Sequence, residues 1–272
     1  MREIPGRQRL GRWARRSAVL TTATQWDWPV VPGAELREPV GRYGSGSSSR
    51  SSGSSSRSSG GSGGAQRSAA RGVRARLAAA AGRGSAEAES DPGADVGCEC
   101  GRADCVVPGA HPYDPDLLAA TTDARMIRWW WSTRPHASVI LATGGRAPCA
   151  LSLPAGAGAA ALRTLDARGI RTGPVVAGPT RWALLVQPYG LAELGELLYA
   201  LDHVPSSLRF HSEGGYIALP PSSTTGGRVS WERPPLTPRG ARTPYLPHTA
   251  TLLDVLVEAS ATAPEGGDRL TY

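Results

Sequence analysis

The chain has 272 residues, 40% of them hydrophobic, which allows one or two domains and a core of ordinary size. All 30 basic residues are arginine, which reads as compositional bias, and the net charge of +7 is unevenly placed: residues 1–90 carry +9 and residues 91–272 carry −2. No apolar run approaches the roughly 18 residues of a membrane span, and four cysteines make no disulfide framework, so a transmembrane protein and a disulfide-stapled module are excluded and a cytoplasmic location is expected.

In chain order, residues 1–16 are arginine-rich and expected to fray. A helix is predicted over 17–25, then a short buried strand at Trp28–Val31 stopped by Pro32-Gly33. Residues 41–95 change character: "GSGSSSRSSGSSSRSSGGSGG" has nothing to bury, and "ARGVRARLAAAAGRGSAEAE" lacks an apolar stripe. The stretch is read as a disordered Ser/Gly/Arg-rich insertion that interrupts one domain: residues 1–40 hold a basic N-terminal segment and the domain's first helix and strand, 96–262 hold the rest of it, and 263–272 form a flexible tail.

Beyond the insertion, "TTDARMIRWWWSTRP" predicts a helix over 123–132 with a Thr/Asp start and a stop at Pro135. "ASVILATGG" and "APCALSLP" read as buried strands, and "AGAGAAALRTLDARG" as a helix closed by Gly169. "GPVVAG" and "RWALLVQP" are two more strands, followed by the helix "LAELGELLYALD". "SLRFHSEGGYIALPPS" predicts a hairpin turning at Gly214-Gly215, "RVSWERP" a last strand and "HTATLLDVLVEASATA" a last helix. Strands mixed with helices place the chain in the α/β (α+β) class, around one central sheet.

The densest run of coordinating side chains is "CECGRADCVVPGAHP", residues 98–112. Cys98, Cys100, Cys105 and His111, spaced C-x-C-x4-C-x5-H, supply three thiolates and an imidazole, the ligand set of a closed structural zinc site. Gly101, Pro108 and Gly109 suit a chain wrapping an ion. The plain alternative is a group of free thiols beside a loop histidine. With four protein ligands no coordination position stays open for catalysis, so zinc here would staple a loop.

With that stretch placed, "QWDWPVVPG", "CECGRADCVVPGAHP", "ATTDARMIRWWWSTRPHASVILATGG" and "RFHSEGGYIALPPS" together resemble the N-terminal domain of the bifunctional DNA primase/polymerase family, in its actinobacterial form, over residues 17–235. The resemblance implies a primase-polymerase-like mixed sheet flanked by helices and built for template-directed nucleotide transfer. It also implies a two-metal site, in which paired carboxylates hold Mg²⁺ or Mn²⁺ and a third acid and a histidine complete the centre. At the positions where the family carries its paired acids this chain has Ser152 and Pro154. Arg181 and Trp182 stand on the strand of the histidine, and Arg209 falls near the third acid. A hydroxyl, a proline and a guanidinium cannot cage a divalent cation. His211 and Glu213 lie close by, but a polar hairpin accounts for them.

Other candidates are less specific. Three consecutive tryptophans span about 200° of a helix, so one or two of Trp129, Trp130 and Trp131 must be core. Trp130 is taken as the base-stacking candidate, with Arg125, Arg128 and Arg181 as phosphate contacts. "ATGGR" at 142–146 lacks the G-K-[ST] of a phosphate loop and reads as a turn. Cys149 reads as a buried small hydrophobe.

The expected protein is therefore a catalytically degenerate primase/polymerase-like domain, a pseudoenzyme with structural zinc. It would bind single-stranded or duplex DNA, or another protein, and no membrane. The alternatives are an active primase/polymerase using Mg²⁺ or Mn²⁺, and a nucleotide-sensing module.

Overall fold

The computed structural model describes residues 5–37 and 97–262, with side chains described from Trp13 onward. The expected insertion at 41–95 and the expected tail at 263–272 lie outside the described residues. At the border of the first gap, β2 (Leu36–Arg37) pairs antiparallel with β3 (Gly97–Cys98), Arg37 opposite Gly97. The chain that leaves at Arg37 thus returns beside it.

The N-terminal segment is more regular than its composition suggested. α1 spans Pro5–Leu20 and continues as a wider π-helical turn over Thr21–Gln25, so the helix expected at 17–25 is the end of a longer one, and fraying does not extend to residue 16. Arginine is a good helix former, and proline suits a first helical turn. Tertiary contacts add to this: Val19, Thr22 and Ala23 are buried, and the Arg15 guanidinium donates to Pro221 O (3.0 Å) and Pro135 O (3.3 Å).

Two principal sheets follow. The first, in the order β1-β4-β9, is antiparallel and comprises β1 (Val30–Pro32), β4 (Val139–Ala142) and β9 (Tyr216–Leu219). The second, in the order β12-β6-β7-β5-β8, is also antiparallel. Its strands are β5 (Cys149–Pro154), β6 (Val175–Ala177), β7 (Arg181–Val186), β8 (Arg209–His211) and β12 (Ser230–Arg233). A small ribbon, β10 (Ser223–Thr224) with β11 (Gly227–Arg228), joins β9 to β12. The helices are α2 (Ala124–Thr133), α3 (Ala155–Ala167), α4 (Leu191–Tyr199) and α5 (Thr249–Thr262).

The central strands β5 and β7 bury apolar residues on both faces of the five-stranded sheet, which explains their nearly continuous hydrophobic runs. Because successive strand residues point to opposite faces, Cys149, Leu151 and Leu153 of β5 and Leu184 and Val186 of β7 join one cluster with Leu165 of α3 and Leu252 and Leu256 of α5. Ala150 of β5 and Ala183 and Leu185 of β7 join the other, with Val139 and Leu141 of β4 and Ile127, Trp130 and Trp131 of α2. The second face is therefore covered by the three-stranded sheet and α2.

Two expectations are corrected here. The strands do not form one central sheet, and residues 207–222 are not a hairpin: β8 pairs with β5, whereas β9 pairs with β4 in the other sheet. The glycine turn at 214–215 carries the chain between sheets. Its partner is the turn after β4, where Thr143 N–H donates to Gly215 O (2.9 Å) and Thr143 Oγ1 donates to Ser212 O (2.7 Å). Periodicity within 207–222 sees two adjacent strands and cannot tell which neighbours they choose.

Candidate functional site

A cleft of about 450 Å³ opens beside the face of the five-stranded sheet near its β5, β7 and β8 strands. Its lining includes Ser152, Thr180, Arg181, Trp182, Arg209 and His211. Tyr216 and Ile217 of β9 contribute on another side, and Val106, Val107 and Pro108 of the cysteine loop close the mouth.

Strand register explains why these side chains meet. Ser152 of β5 is the cross-strand partner of Arg209 on β8, and Pro154 is the partner of Arg181 on β7. Four positions singled out in the sequence are thus two directly opposed pairs. Among the described residues that line the cleft there is no carboxylate.

The hydrogen bonds form a chain. Arg181 Nη2 donates to Ser152 O and to Ser207 O, both at 2.7 Å, and Nε and Nη2 approach Ser152 Oγ at 3.4 and 3.3 Å. An arginine only donates, so the Ser152 hydroxyl accepts from it and is left to donate to His211 Nε2 at 2.9 Å. That direction requires a neutral imidazole. The His211 pKa agrees: it is lowered to about 4, first by burial and then by the charges of Arg181 and Arg209, against a backbone hydrogen bond at Tyr216 that raises it.

A serine bonded to a histidine resembles an activated nucleophile. Here the imidazole would have to take up a proton while facing two guanidiniums, which makes it a poor base. The chemistry the cleft favours is anion binding: fixed positive charge, hydroxyl groups and, among the described residues, no carboxylate cage for a divalent ion.

Next to it lies the cysteine loop. The ligand atoms of Cys98, Cys100, Cys105 and His111 all fall within 4.8 Å of one another, and Cys98 Sγ lies 3.3 Å from His111 Nε2. Tetrahedral zinc with bonds of about 2.3 Å to sulfur and 2.0 Å to nitrogen sets ligand atoms roughly 3.5–3.8 Å apart, so the cluster fits such an ion. The tight C-x-C spacing works because Glu99 points away from the sulfurs. Its carboxylate takes the Glu35 N–H (2.9 Å) and pairs with Arg134, which also donates to Gly33 O (3.1 Å). His111 Nδ1 donates to Pro112 O at 2.6 Å, which leaves Nε2 as the ligating nitrogen.

The thiols differ in their leanings. Cys100 is drawn down to about 7, chiefly by a backbone hydrogen bond at Arg102, whereas burial pushes Cys105 up to about 12 and its two neighbouring cysteines add to that. A zinc ion would take such sulfurs as thiolates.

The remaining candidates separate. Asp123 caps α2, its carboxylate accepting from Arg125 N–H (2.7 Å) and Met126 N–H (2.8 Å). Trp130 is 6% exposed and Trp131 3%, both in the core, so Trp130 is corrected from base-stacking candidate to packing residue. Trp129 is 60% exposed and presents the free ring, on the helix that carries Arg125 and Arg128. The signal was available in the sequence: Ile127, Trp130 and Trp131 make an i, i+3, i+4 stripe that excludes Trp129. Cys149 is buried, as expected, its sulfur accepting the Tyr189 N–H at 3.5 Å. The contribution of Val106 and Val107 to the cleft carried no sequence signal, because it depends on how the cysteine loop folds back.

Among the described residues no helix is long and apolar enough to cross a membrane. No curated protein and no solved structure matches this chain. The family model described as bifunctional DNA primase/polymerase, N-terminal, matches residues 20–248. That match spans both sheets, the cysteine loop and the cleft, and the chain therefore belongs to the bifunctional DNA primase/polymerase N-terminal domain family.

Proposed function

We propose that this chain is a catalytically degenerate primase/polymerase domain that binds nucleic acid without extending it. One observation carries the reading: the cleft that register builds from Ser152, Arg181, Arg209 and His211 is lined, among the described residues, by no carboxylate. Phosphoryl transfer by two metal ions needs anionic oxygens to hold them, and replacing acids with serine, proline and arginine reverses the sign of the site. The cationic cleft attracts a phosphodiester backbone instead, and the exposed Trp129 beside Arg125 and Arg128 offers a stacking and phosphate-contacting surface on α2.

Zinc at Cys98, Cys100, Cys105 and His111 would hold the loop that forms the cleft mouth. The ion supplies charge to gather three thiolates and performs no chemistry. Residues 41–95 are read as an insertion in one domain rather than a linker between two, in keeping with the β2–β3 pairing at its base.

The test is nucleotide incorporation on a single-stranded DNA template with Mg²⁺ or Mn²⁺ and the zinc-loaded full chain. The expected result is no extension, together with oligonucleotide binding that weakens steeply with salt. Extension that survives stringent purification would overturn the reading in favour of an active primase/polymerase.

A further inference from the structure

We infer that the cleft is a metal-independent phosphate site, in which the Arg181 and Arg209 guanidiniums supply the positive charge that divalent ions supply in a two-metal transferase. The site rests on the degenerate reading above and gives it a ligand chemistry. In a two-metal centre, carboxylates bring negative charge and two dications overcompensate it, leaving net attraction for phosphate oxygens. In this cleft both halves of that arrangement are replaced together. The acids give way to neutral Ser152 and Pro154, and the residues directly opposite them in register are the two arginines. The attraction for phosphate persists with no ion to be held.

The two guanidiniums differ in freedom. Arg181 is braced by two 2.7 Å bonds to the Ser152 and Ser207 carbonyls, so its planar fork is fixed before any ligand arrives. Arg209, on edge strand β8, is exposed and has no ion-pair partner among the described residues. It can swing onto a ligand. Around them, Thr180 and Thr225 offer hydroxyls, and Gly214, Gly215 and Gly226 allow close approach of backbone to an anion. The volume suits a triphosphate-sized group or one nucleotide of a strand. The depressed basicity of His211 comes first from burial and then from the charges of Arg181 and Arg209, the same field that such a group would enter.

The experiment is calorimetric titration of the zinc-loaded full chain with inorganic tripolyphosphate, in magnesium-free buffer and again with excess Mg²⁺. Binding is expected without Mg²⁺. Arg209→Gln should weaken it by roughly tenfold or more, as the loss of a charge-assisted bond implies, and Arg209→Glu should abolish it. Arg163→Gln, at an exposed position of α3, should leave it unchanged. Circular dichroism confirms that each variant is folded, and Arg209 being exposed favours that. Binding that appears only with Mg²⁺, or equal affinity of wild type and Arg209→Gln, would overturn the site.

Competition then names the source of the phosphate. Displacement of tripolyphosphate by a deoxynucleoside triphosphate supports a free nucleotide, and displacement by oligothymidylate supports a strand. Failures of the two readings are distinguishable. A folded protein that binds oligothymidylate but ignores tripolyphosphate removes the phosphate site and leaves the degenerate domain standing. Template-directed extension removes the degenerate domain.

Discussion

His211 shows how one side chain reports on the cleft. Its pKa of about 4 in the fold lies below the ordinary 6.5. On unfolding the imidazole is free to take a proton, so below 6.5 the unfolded state binds more protons than the folded one. Stability is therefore unaffected above that pH and falls as pH drops from 6.5 toward 4, by about 3 kcal/mol in all. Denaturant melts across that range should show the slope in the wild type and a shallower one in His211→Gln. An equal slope in both would mean that the imidazole is not held neutral. The two adjacent tryptophans give a second contrast. Trp130→Ala removes a buried ring and should cost about 3–5 kcal/mol, whereas Trp129→Ala should leave the melting temperature unchanged. Oligonucleotide affinity should respond in the opposite order, with Trp129→Ala losing about 1–3 kcal/mol. A destabilised but fully binding Trp129 variant would reassign that ring to packing.

At the scale of elements, the turn after β4 decides how the sheets meet. Gly144 has φ +89, and a Cβ there would lie 2.4 Å from Glu213 Cα and 2.5 Å from its nitrogen. The close approach is to backbone, which cannot swing aside. Gly144→Ala should therefore destabilise the fold by about 2 kcal/mol or more, read as a drop in melting temperature. It should also weaken ligand binding, because the 212–216 turn that Gly144 touches carries Gly214, Gly215 and Tyr216 into the cleft. On the other face of the five-stranded sheet, α3 and α5 pack through Leu165 and Leu256, both fully buried. Leu256→Ala should cost about 2–5 kcal/mol and leave cleft affinity as it is. A loss of affinity in the folded Leu256 variant would show that the two faces are coupled.

For the whole molecule, the cysteine loop that could hold a metal ion also lines the cleft. Gly109, with φ +76, lets the loop pass within 2.5 Å (measured from an added Cβ) of Ser223 O, and Ser138 Oγ donates to Gly109 O. The same loop delivers Val106 and Val107 to the cleft mouth. Elemental analysis of protein purified without chelator should give about one zinc per chain. Cys100→Ser should lower both zinc content and melting temperature, since binding energy of a structural ion is folding energy. Normal stability in a variant stripped of metal would leave the cluster as free thiols.

The sequence by itself determined the parts whose causes are local. The helix Ala124–Thr133, capped by Asp123, is set by capping chemistry and an apolar stripe. The four residues of the metal cluster are set by ligand type and spacing, and the strands "APCALSLP" and "RWALLV" by continuous apolar runs. It also singled out Ser152, Pro154, Arg181 and Arg209, through resemblance. Only the tertiary structure decided which strands became neighbours. β8 and β9 are four residues apart in the chain and belong to different sheets, because pairing energy depends on partners far away in sequence. The same long-range register set Ser152 opposite Arg209 and Pro154 opposite Arg181. Local pattern fixes what a segment can be; the charge of the cleft arises only when separate strands bring their side chains to one face.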